Sequence, residues 1–184
     1  VETPATEYAA AVVYLPRAKA EAQELIAQAS ACTQGGLVLV DGQKTDGIDS
    51  VLREVRKITD VAGPISKAHG KLFWITGADA PRFADWAAGP ELTPGGFWTA
   101  PGVFSADGVD PASQLLVDAL PEKLGGQVAD LGAGWGYISA HILTREAVKQ
   151  VHLVEAAHMA VECARRNVTD PRAHFHWADV PTWQ

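Results

Sequence analysis

A glycine-rich segment at residues 130–136, Asp-Leu-Gly-Ala-Gly-Trp-Gly, carries the strongest chemical signal in the sequence. It follows an apolar stretch that predicts a strand and precedes residues that predict a helix. Glycines at such a junction permit a tight turn and let the backbone approach a ligand with no Cβ in the way. The free N–H groups at the start of the following helix then face that ligand. The segment therefore predicts a nucleotide-type ligand site.

The spacing of these glycines differs from that of a dinucleotide-binding loop. In Gly-x-Gly-x-x-Gly, counted from Gly132, the third glycine would fall at position 137, which is Tyr137. An acid, Asp130, stands two residues before the first glycine and suits a cationic amine better than a pyrophosphate. A nicotinamide-dependent enzyme is therefore the least favoured interpretation.

Two further acids, Glu155 and Asp179, follow Asp130 at nearly equal intervals, each at the end of a predicted strand. The carboxyl ends of parallel strands form the rim where open α/β sheets bind ligands. An acid after the second strand can accept hydrogen bonds from a ribose diol, and one after the third from an adenine amino group. The alternative, that these acids only cap turns, does not explain an acid at all three strand ends.

Alternating elements position these acids. After the glycine- and proline-rich residues 87–108, the pattern predicts helix, strand, helix, strand, helix and strand. The predicted ranges are 110–120, 128–131, the residues after Gly136, 151–154, 157–167 and 173–177. Leu115, Leu116, Ala119 and Leu120 form the predicted apolar face of the first helix. The last three strands with their two helices make one βαβαβ half of a doubly wound sheet.

The first half of the chain is also α/β. Strands are predicted at 10–15, 37–40 and 72–75, and helices at 17–31 and 48–58. The run at 37–40 is typical of a strand buried on both faces of a parallel sheet. We place a domain boundary near 90–100, with domains at 1–92 and 93–184, and expect Phe97–Thr99 and Gly102–Phe104 to form a short hairpin.

With the segment Pro101–Asp110 and Ser113-Gln114 before it, the glycine loop resembles that of class I S-adenosylmethionine-dependent methyltransferases of the "small-domain" type. Within these, the chain is most similar to the ribosomal RNA small subunit methyltransferase C family, which methylates the exocyclic N2 of a guanine in 16S RNA. That family carries an N-terminal domain that is a degenerate copy of the methyltransferase fold. The resemblance implies such a Rossmann-like domain at 1–92, followed by the first, cofactor-binding half of a catalytic domain.

The resemblance also implies roles for individual residues. Asp130 would lie near the methionine amine of S-adenosylmethionine, Glu155 would hold the ribose and Asp179 the adenine, with Trp177 bordering the purine. The product would be S-adenosylhomocysteine, and the partner ribosomal RNA or the small ribosomal subunit. The remaining implied cofactor-binding residues are those of the loop and of the segment before it: Gly132, Ala133, Gly134, Gly136, Phe104 and Asp110.

The family's target-base motif, Asn-Pro-Pro followed by an aromatic residue, has no counterpart here. Asn167 is the only asparagine, and valine follows it. Since that motif positions the exocyclic amine for attack on the methyl group, we expect no turnover from this chain alone and place the catalytic residues downstream of Gln184. The absence of a first methionine and the ending at Trp183-Gln184 are expected of an internal fragment. We also expect another segment or molecule to cover the edge of the strand at 128–131, because an open apolar edge favours aggregation.

Composition excludes several classes of protein. The 184 residues are 47% hydrophobic and 20% charged, which excludes intrinsic disorder. The net charge of −7 excludes a protein that binds nucleic acid over most of its surface. No apolar run approaches the ~20 residues of a membrane span, and the first residues show no basic region followed by an apolar stretch, so a cytoplasmic protein is expected. Two cysteines, Cys32 and Cys163, are too few for a disulfide framework or a Cys₄ zinc site.

Weaker patterns leave alternatives open. His174-x-His176 could bind a metal, but an ordinary strand face is favoured and no metal is expected. Residues 41–47 lack the phosphate-loop pattern and suit a decayed cofactor loop. The only basic concentration could contact RNA phosphates or be a solvated face: Arg53, Arg56, Lys57, Lys67 and Lys71. Two other functions compete with the RNA enzyme: a methyltransferase acting on a small molecule or a protein, and a non-catalytic binding or assembly module.

Overall fold

The structure is a computed structural model that describes residues 8–33 and 35–183, except for the side chains of residues 77–79. The chain divides into two compact units, residues 1–89 and 90–184. Across the described residues, no helix combines the length and the apolar character that crossing a membrane requires.

Unit 1, residues 1–89, is a four-stranded mixed sheet with two helices. Its regular elements are β1 (Ala10–Tyr14), α1 (Lys19–Thr33), β2 (Leu37–Gln43), α2 (Ile48–Ile58), β3 (Ala62–Lys67) and β4 (Gly70–Thr76). Short 3₁₀ segments lie at Lys44–Asp46 and Gly77–Trp86. The strand order is β1-β2-β4-β3, with β1 parallel to β2 and both other pairs antiparallel.

One face of this sheet forms the core of unit 1. Val38 and Val40 of β2 are fully buried, whereas their neighbours Leu37 and Leu39 are only half-buried. The expectation of a strand buried on both faces is therefore wrong, because the observed alternation belongs to a sheet covered on one side. The predicted apolar stripe of α2 is confirmed: Ile48, Val51, Leu52 and Val55 are all buried in this core.

Strand β3 is absent from the sequence prediction. Its residues, Ala62–Lys67, include Gly63 and Pro64, which weaken a strand pattern. The strand lies at the edge of the sheet, where a proline without an N–H is tolerated. A two-residue turn, Ala68-His69, joins it to β4, and both turn residues have positive φ, 49° and 63°.

Unit 2, residues 90–184, holds the glycine loop. Its elements are β5 (Glu91–Leu92), β6 (Trp98–Thr99), α3 (Pro111–Ala119), β7 (Gly126–Leu131), α4 (Tyr137–Ile142), β8 (Val148–Glu155), α5 (His158–Asn167) and β9 (Ala173–Trp177), followed by a 3₁₀ turn at Val180–Thr182. Strands β7, β8 and β9 form a parallel sheet in that order. The predicted βαβαβ arrangement is confirmed, and the carboxyl ends of the three strands share one rim.

The start of unit 2 differs from the prediction in two respects. The hairpin forms, but β6 pairs with β5 rather than with Gly102–Phe104. The apolar face predicted for α3 is confirmed only at Leu120, which packs against the core just after the helix ends. Leu115 and Leu116 are 69% and 50% exposed and Ala119 is also exposed, whereas Val117, outside the predicted face, packs against the core.

Among the described residues, β7 pairs with β8 alone, and Leu131 at its end is 55% exposed. The described part of the chain therefore adds no strand to the other edge of β7, and cover of that edge by another molecule stays a prediction. The predicted strand order is the one observed.

The two cysteines lie in different environments. Cys32, in α1, is half-buried, whereas Cys163, in α5, is fully buried, and both are free thiols. Burial raises the pKa of the Cys163 thiol to about 11; the charge of Arg166 opposes this shift, and that of Glu162 adds to it. Each unit therefore contains one thiol, and only that of unit 2 is enclosed.

Candidate active site

The glycine loop connects β7 to α4 through three residues in the left-handed region. Gly132, Gly134 and Gly136 have φ of 79°, 54° and 89°. A Cβ built on Gly132 or Gly134 meets no other atom within 4 Å, so the protein leaves open space above both residues. A Cβ on Gly136 would lie 2.9 Å from Val168 Cγ2 and 3.3 Å from Ala164 Cβ. The first two glycines therefore face the cleft, and the third allows α4 to pack against α5.

Asp130 lies behind the loop. Its carboxylate is buried and accepts a hydrogen bond from Ser139 Oγ in α4 at 2.7 Å. Burial raises the pKa of Asp130, the hydrogen bonds from Ser139 oppose that shift, and the nearby charge of Glu155 adds to it. The predicted residue thus sits under the site and is not among the residues that line the cleft.

This environment predicts how the stability of the protein depends on pH. Since the pKa of Asp130 is higher in the folded chain, folding favours the protonated form, and stability falls as pH rises from about 4 through the raised pKa. Asp130→Asn mimics the protonated group and keeps an acceptor for Ser139. We expect this variant to resist urea better than the wild type at pH 7 and equally at pH below about 4. A variant that is less stable at pH 7 would show that the charged carboxylate stabilises the fold.

Glu155 ties the end of β8 to the glycine loop. One carboxylate oxygen accepts from the Gly134 N–H at 2.9 Å, and the other accepts from the Ala157 N–H at 2.7 Å. Each oxygen of an ionised carboxylate has two acceptor positions, so both can still take a hydrogen bond from a ligand. The side chain is half-buried at the rim. It is therefore placed to receive a diol beside the loop.

A cleft of about 70 Å³ opens between the loop and the segment before α3. Ligand pockets for small molecules usually measure roughly 300–1,000 Å³, so this cleft has room for only part of a nucleoside-sized ligand. Five of its lining residues are predicted cofactor-binding residues: Phe104, Asp110, Gly132, Ala133 and Gly134. Ser105 and Ser113 belong to the segment before the loop on which the family resemblance rests, and Trp135, Tyr137 and Ile138 complete the lining.

The segment before α3 is held by its own hydrogen bonds. Asp110 caps α3 by accepting from the backbone N–H of Ser113 at 2.8 Å and from its hydroxyl at 3.1 Å. Phe104 is 69% exposed, and its carbonyl accepts from the Trp135 indole N–H at 3.1 Å. The Tyr137 hydroxyl donates to Gln114 in α3. These contacts fix one wall of the cleft against the loop.

Trp177 is the last residue of β9, and Asp179 follows two residues later on the same rim. Both are exposed, and the Asp179 side chain does not cap the 3₁₀ turn that it precedes. The Trp177 indole N–H donates to the Ala156 carbonyl at 2.9 Å, and its ring meets His158 edge-on. Trp177 therefore offers a partly fixed aromatic surface next to an accessible carboxylate.

Asn167 is a structural residue that the sequence prediction missed. Its carboxamide accepts from the Trp98 N–H at 2.6 Å and donates to the carbonyls of Trp98 and Trp135, both at 2.8 Å. It thus connects β6 to the glycine loop from the end of α5. No motif surrounds this residue, so nothing in the sequence distinguished it from a surface asparagine.

Asn167→Ala is expected to destabilise unit 2 by about 2–3 kcal/mol, because three backbone groups lose a partner worth roughly 1 kcal/mol each. Chemical unfolding followed by tryptophan fluorescence measures this loss. Thr169→Ala, two residues later and exposed, is the matched control, with an expected change within about 0.5 kcal/mol. Equal effects in the two variants would contradict the bridging role.

The histidines of β9 meet a third histidine rather than a carboxylate. His152 of β8 stacks between His174 and His176, and its Nδ1 lies 3.0 Å from His176 Nε2. Burial lowers the pKa of His176, and the neighbouring His152 and His174 lower it further. Within the described residues, no group of three or more His, Cys, Asp or Glu side chains has a geometry that could hold a metal ion.

Two protein-family models together match nearly the whole sequence. The Methyltransferase small domain N-terminal model matches residues 1–88, and the Methyltransferase small domain model matches residues 95–182. Each model therefore falls within one of the two units.

Curated relatives carry the name Ribosomal RNA small subunit methyltransferase C. The protein from Pseudoalteromonas atlantica is 28% identical over 166 residues, which are 85% of this chain and 48% of the relative. The protein from Shewanella sediminis is 32% identical over 163 residues, 84% of this chain and 47% of the relative. The chain thus spans about half the length of the curated relatives it matches.

A solved structure shows the same fold. It is a T. thermophilus 16S rRNA N2 methyltransferase in complex with AdoMet and guanosine, with a TM-score of 0.76 and 27% identity over 95% of this chain and 51% of that one. Together with the two family models, this match supports the predicted Rossmann-like methyltransferase fold. The chain therefore belongs to the small-domain family of class I S-adenosylmethionine-dependent methyltransferases, and is similar to proteins of the ribosomal RNA small subunit methyltransferase C group.

Proposed function

We propose that this chain binds S-adenosylmethionine along the rim of its parallel sheet and is the cofactor-binding part of a ribosomal RNA methyltransferase. One observation carries the proposal: the Glu155 carboxylate accepts from the Gly134 N–H, within a loop whose three glycines are all left-handed. The contact supports the proposal because it holds a carboxylate that can accept from a diol beside a backbone that a ligand can approach closely. A turn that only reversed the chain would need neither the acid nor the open space above Gly132 and Gly134.

The residues present fit this cofactor. The small cleft at Phe104 and Asp110 suits the methionine end, Glu155 the ribose, and Asp179 with Trp177 the adenine. Asp130 adds a buried negative charge behind the loop, which favours a cationic amine in the cleft. When bound, S-adenosylmethionine supplies an electrophilic methyl group on a sulfonium, and S-adenosylhomocysteine is the product. The proposed role of this chain is to bind and orient the cofactor.

In the intact protein, we propose that the acceptor is the exocyclic N2 of a guanine in ribosomal RNA, methylated in the cytoplasm. An RNA substrate is supported by the names of the curated relatives and by the solved relative, a 16S rRNA methyltransferase. The Asn-Pro-Pro-aromatic motif of the family does not occur in these 184 residues. Since positioning of the amine dominates such a reaction, we propose that this chain alone binds the cofactor without transferring its methyl group.

Calorimetric titration of the chain with S-adenosylmethionine and with S-adenosylhomocysteine tests the proposal. We expect one site for each ligand and no methylated product when small-subunit RNA is added with radiolabelled cofactor. No heat at millimolar ligand, with the chain folded by circular dichroism, would favour a non-catalytic module instead. Methylation of a small molecule or a protein by the intact enzyme, without methylation of RNA, would overturn the RNA substrate.

A further inference from the structure

A basic cavity lies in unit 1, in the other half of the chain from the cofactor cleft. It has a volume of about 310 Å³ and forms where the β3–β4 hairpin meets the start of α2. Most of its lining residues come from the hairpin itself. The lining consists of Lys44, Asp49, Ser66, Lys67, Ala68, His69, Gly70 and Lys71.

The side chains that line this cavity carry an excess of positive charge. Three lysines line it against a single carboxylate, that of Asp49, and residues 61–76 contain no acid at all. In the part of the chain that the structure describes, Lys71 is the one of these three lysines that forms an ion pair, with Asp49. A net positive site therefore stands out in a chain whose net charge is −7.

Cations on neighbouring elements add to the positive potential of the cavity. The hydrogen bond and charge of Lys71 hold the pKa of Asp49 below its usual range, and the charges of Lys44 and Arg53 lower it further. Arg53 stands one helical turn after Asp49 on α2. Arg56 and Lys57 follow in the last turn of that helix, and both are exposed. The positive surface thus continues from the cavity along α2.

The backbone of the cavity is held in place by the turn. Ala68 and His69 both adopt left-handed φ, so a two-residue turn joins the strands that carry Lys67 and Lys71. The Lys44 N–H donates to the His69 carbonyl at 3.1 Å, which ties the turn to the 3₁₀ segment before α2. The three lysines are therefore carried on connected backbone and not on independent loops.

We propose that this basic cavity and the adjoining face of α2 bind the phosphate backbone of RNA. The inference rests on the proposed function, which makes RNA the partner. Lysine and arginine that neutralise consecutive phosphates supply most of the sequence-independent affinity of such a contact. In a chain of overall negative charge, one localised positive face also sets the orientation of an approaching RNA. Unit 1 would then hold the RNA while unit 2 holds the cofactor.

The test compares two double charge reversals that change the net charge equally. Lys44→Glu with Lys67→Glu removes cations from the cavity but keeps the Lys71–Asp49 pair. Lys123→Glu with Lys149→Glu, both exposed in unit 2, is the control. The probe is a fluorescently labelled hairpin of ribosomal RNA, and anisotropy gives its affinity for the 184-residue chain over a range of salt concentrations.

We expect the cavity variant to bind the RNA about tenfold more weakly or worse at low salt, and the slope of log K against log salt to fall by about two. The control variant should keep most of the affinity and the slope. Equal losses in both variants, no loss in the cavity variant, or no binding of RNA by the wild-type chain would each overturn the inference.

Two further measurements separate this inference from related explanations. In the first, inorganic phosphate and chloride are compared as competitors of the labelled RNA. We expect both salts to displace the RNA at the same concentrations. Displacement at lower concentrations of phosphate would show a site for a single phosphate instead of a surface for the RNA backbone. Both variants should bind S-adenosylmethionine as the wild type does, and both should keep its circular dichroism spectrum, since cofactor binding in unit 2 does not report on the folding of unit 1. Loss of cofactor binding by the wild-type chain would contradict the proposed function, while the RNA measurement would still stand.

Discussion

Glu155→Ala is expected to weaken the binding of S-adenosylmethionine about a hundredfold. Hydrogen bonds to a charged acceptor contribute about 1.5–3 kcal/mol each, and the diol of a ribose would lose two at this carboxylate. A total near 3 kcal/mol corresponds to about a hundredfold in Kd. The Gly134 N–H would lose its acceptor at the same time, and the loop would lose the contact that ties it to β8.

Calorimetric titration measures this change, and two variants make it specific. Glu155→Gln keeps an acceptor for Gly134 without the charge, and its affinity should lie between those of the alanine variant and the wild type. Glu162→Ala removes an acid of α5 whose ion pair with Arg165 is exposed, and should bind as the wild type does. An unchanged Kd for Glu155→Ala would remove this residue from the cofactor site.

Gly136→Ala is expected to cost unit 2 about 3 kcal/mol of its free energy of unfolding. The residue has φ of 89°, a region that costs an L-residue roughly 1–2 kcal/mol. The added methyl group would also press on Val168 at 2.9 Å, and overpacking of this kind costs typically about 1–3 kcal/mol. For a domain with a total stability of roughly 5–15 kcal/mol, this is a large fraction.

Urea unfolding of three variants separates the two causes. Gly134→Ala has a left-handed φ of 54° but no neighbour within 4 Å, so it should lose only about 1 kcal/mol. Adding Val168→Ala to Gly136→Ala makes room for the methyl group and should destabilise less than the two single changes together. Full additivity would show that contact with Val168 does not limit the size of residue 136.

Much of unit 2 could be predicted from sequence because its strands and helices repeat with clear periods. The strands β7, β8 and β9 and the helices between them were found, since buried parallel strands read as short apolar runs bounded by turns. In unit 1, β3 was missed because Gly63 and Pro64 interrupt its pattern at a sheet edge. Leu115 and Leu116 were predicted to be part of an apolar face because of their helical spacing. That spacing does not show which neighbouring element, if any, covers the face.

In the candidate site, too, some residues could be predicted from the sequence and others could not. The glycines and Glu155 could be proposed as site residues because a ligand loop restricts residue types at fixed positions, and the Phe104–Asp110 segment could be proposed from the family resemblance. Asn167 was missed because a single asparagine gives no signal until Trp98 and Trp135 are placed around it. The burial of Asp130 under α4 could not be predicted either, since it depends on Ser139 meeting it one turn into that helix.

Because each unit contains one thiol, the reactivity of the two cysteines can show which unit unfolds first. The thiolate is the form of cysteine that attacks a thiol reagent, and the raised pKa and full burial of Cys163 suppress that reaction while unit 2 is folded. Cys32 reports separately on unit 1 from a half-buried position. Labelling at increasing denaturant, resolved by mass, would thus follow the unfolding of the two halves of one molecule without the introduction of another cysteine.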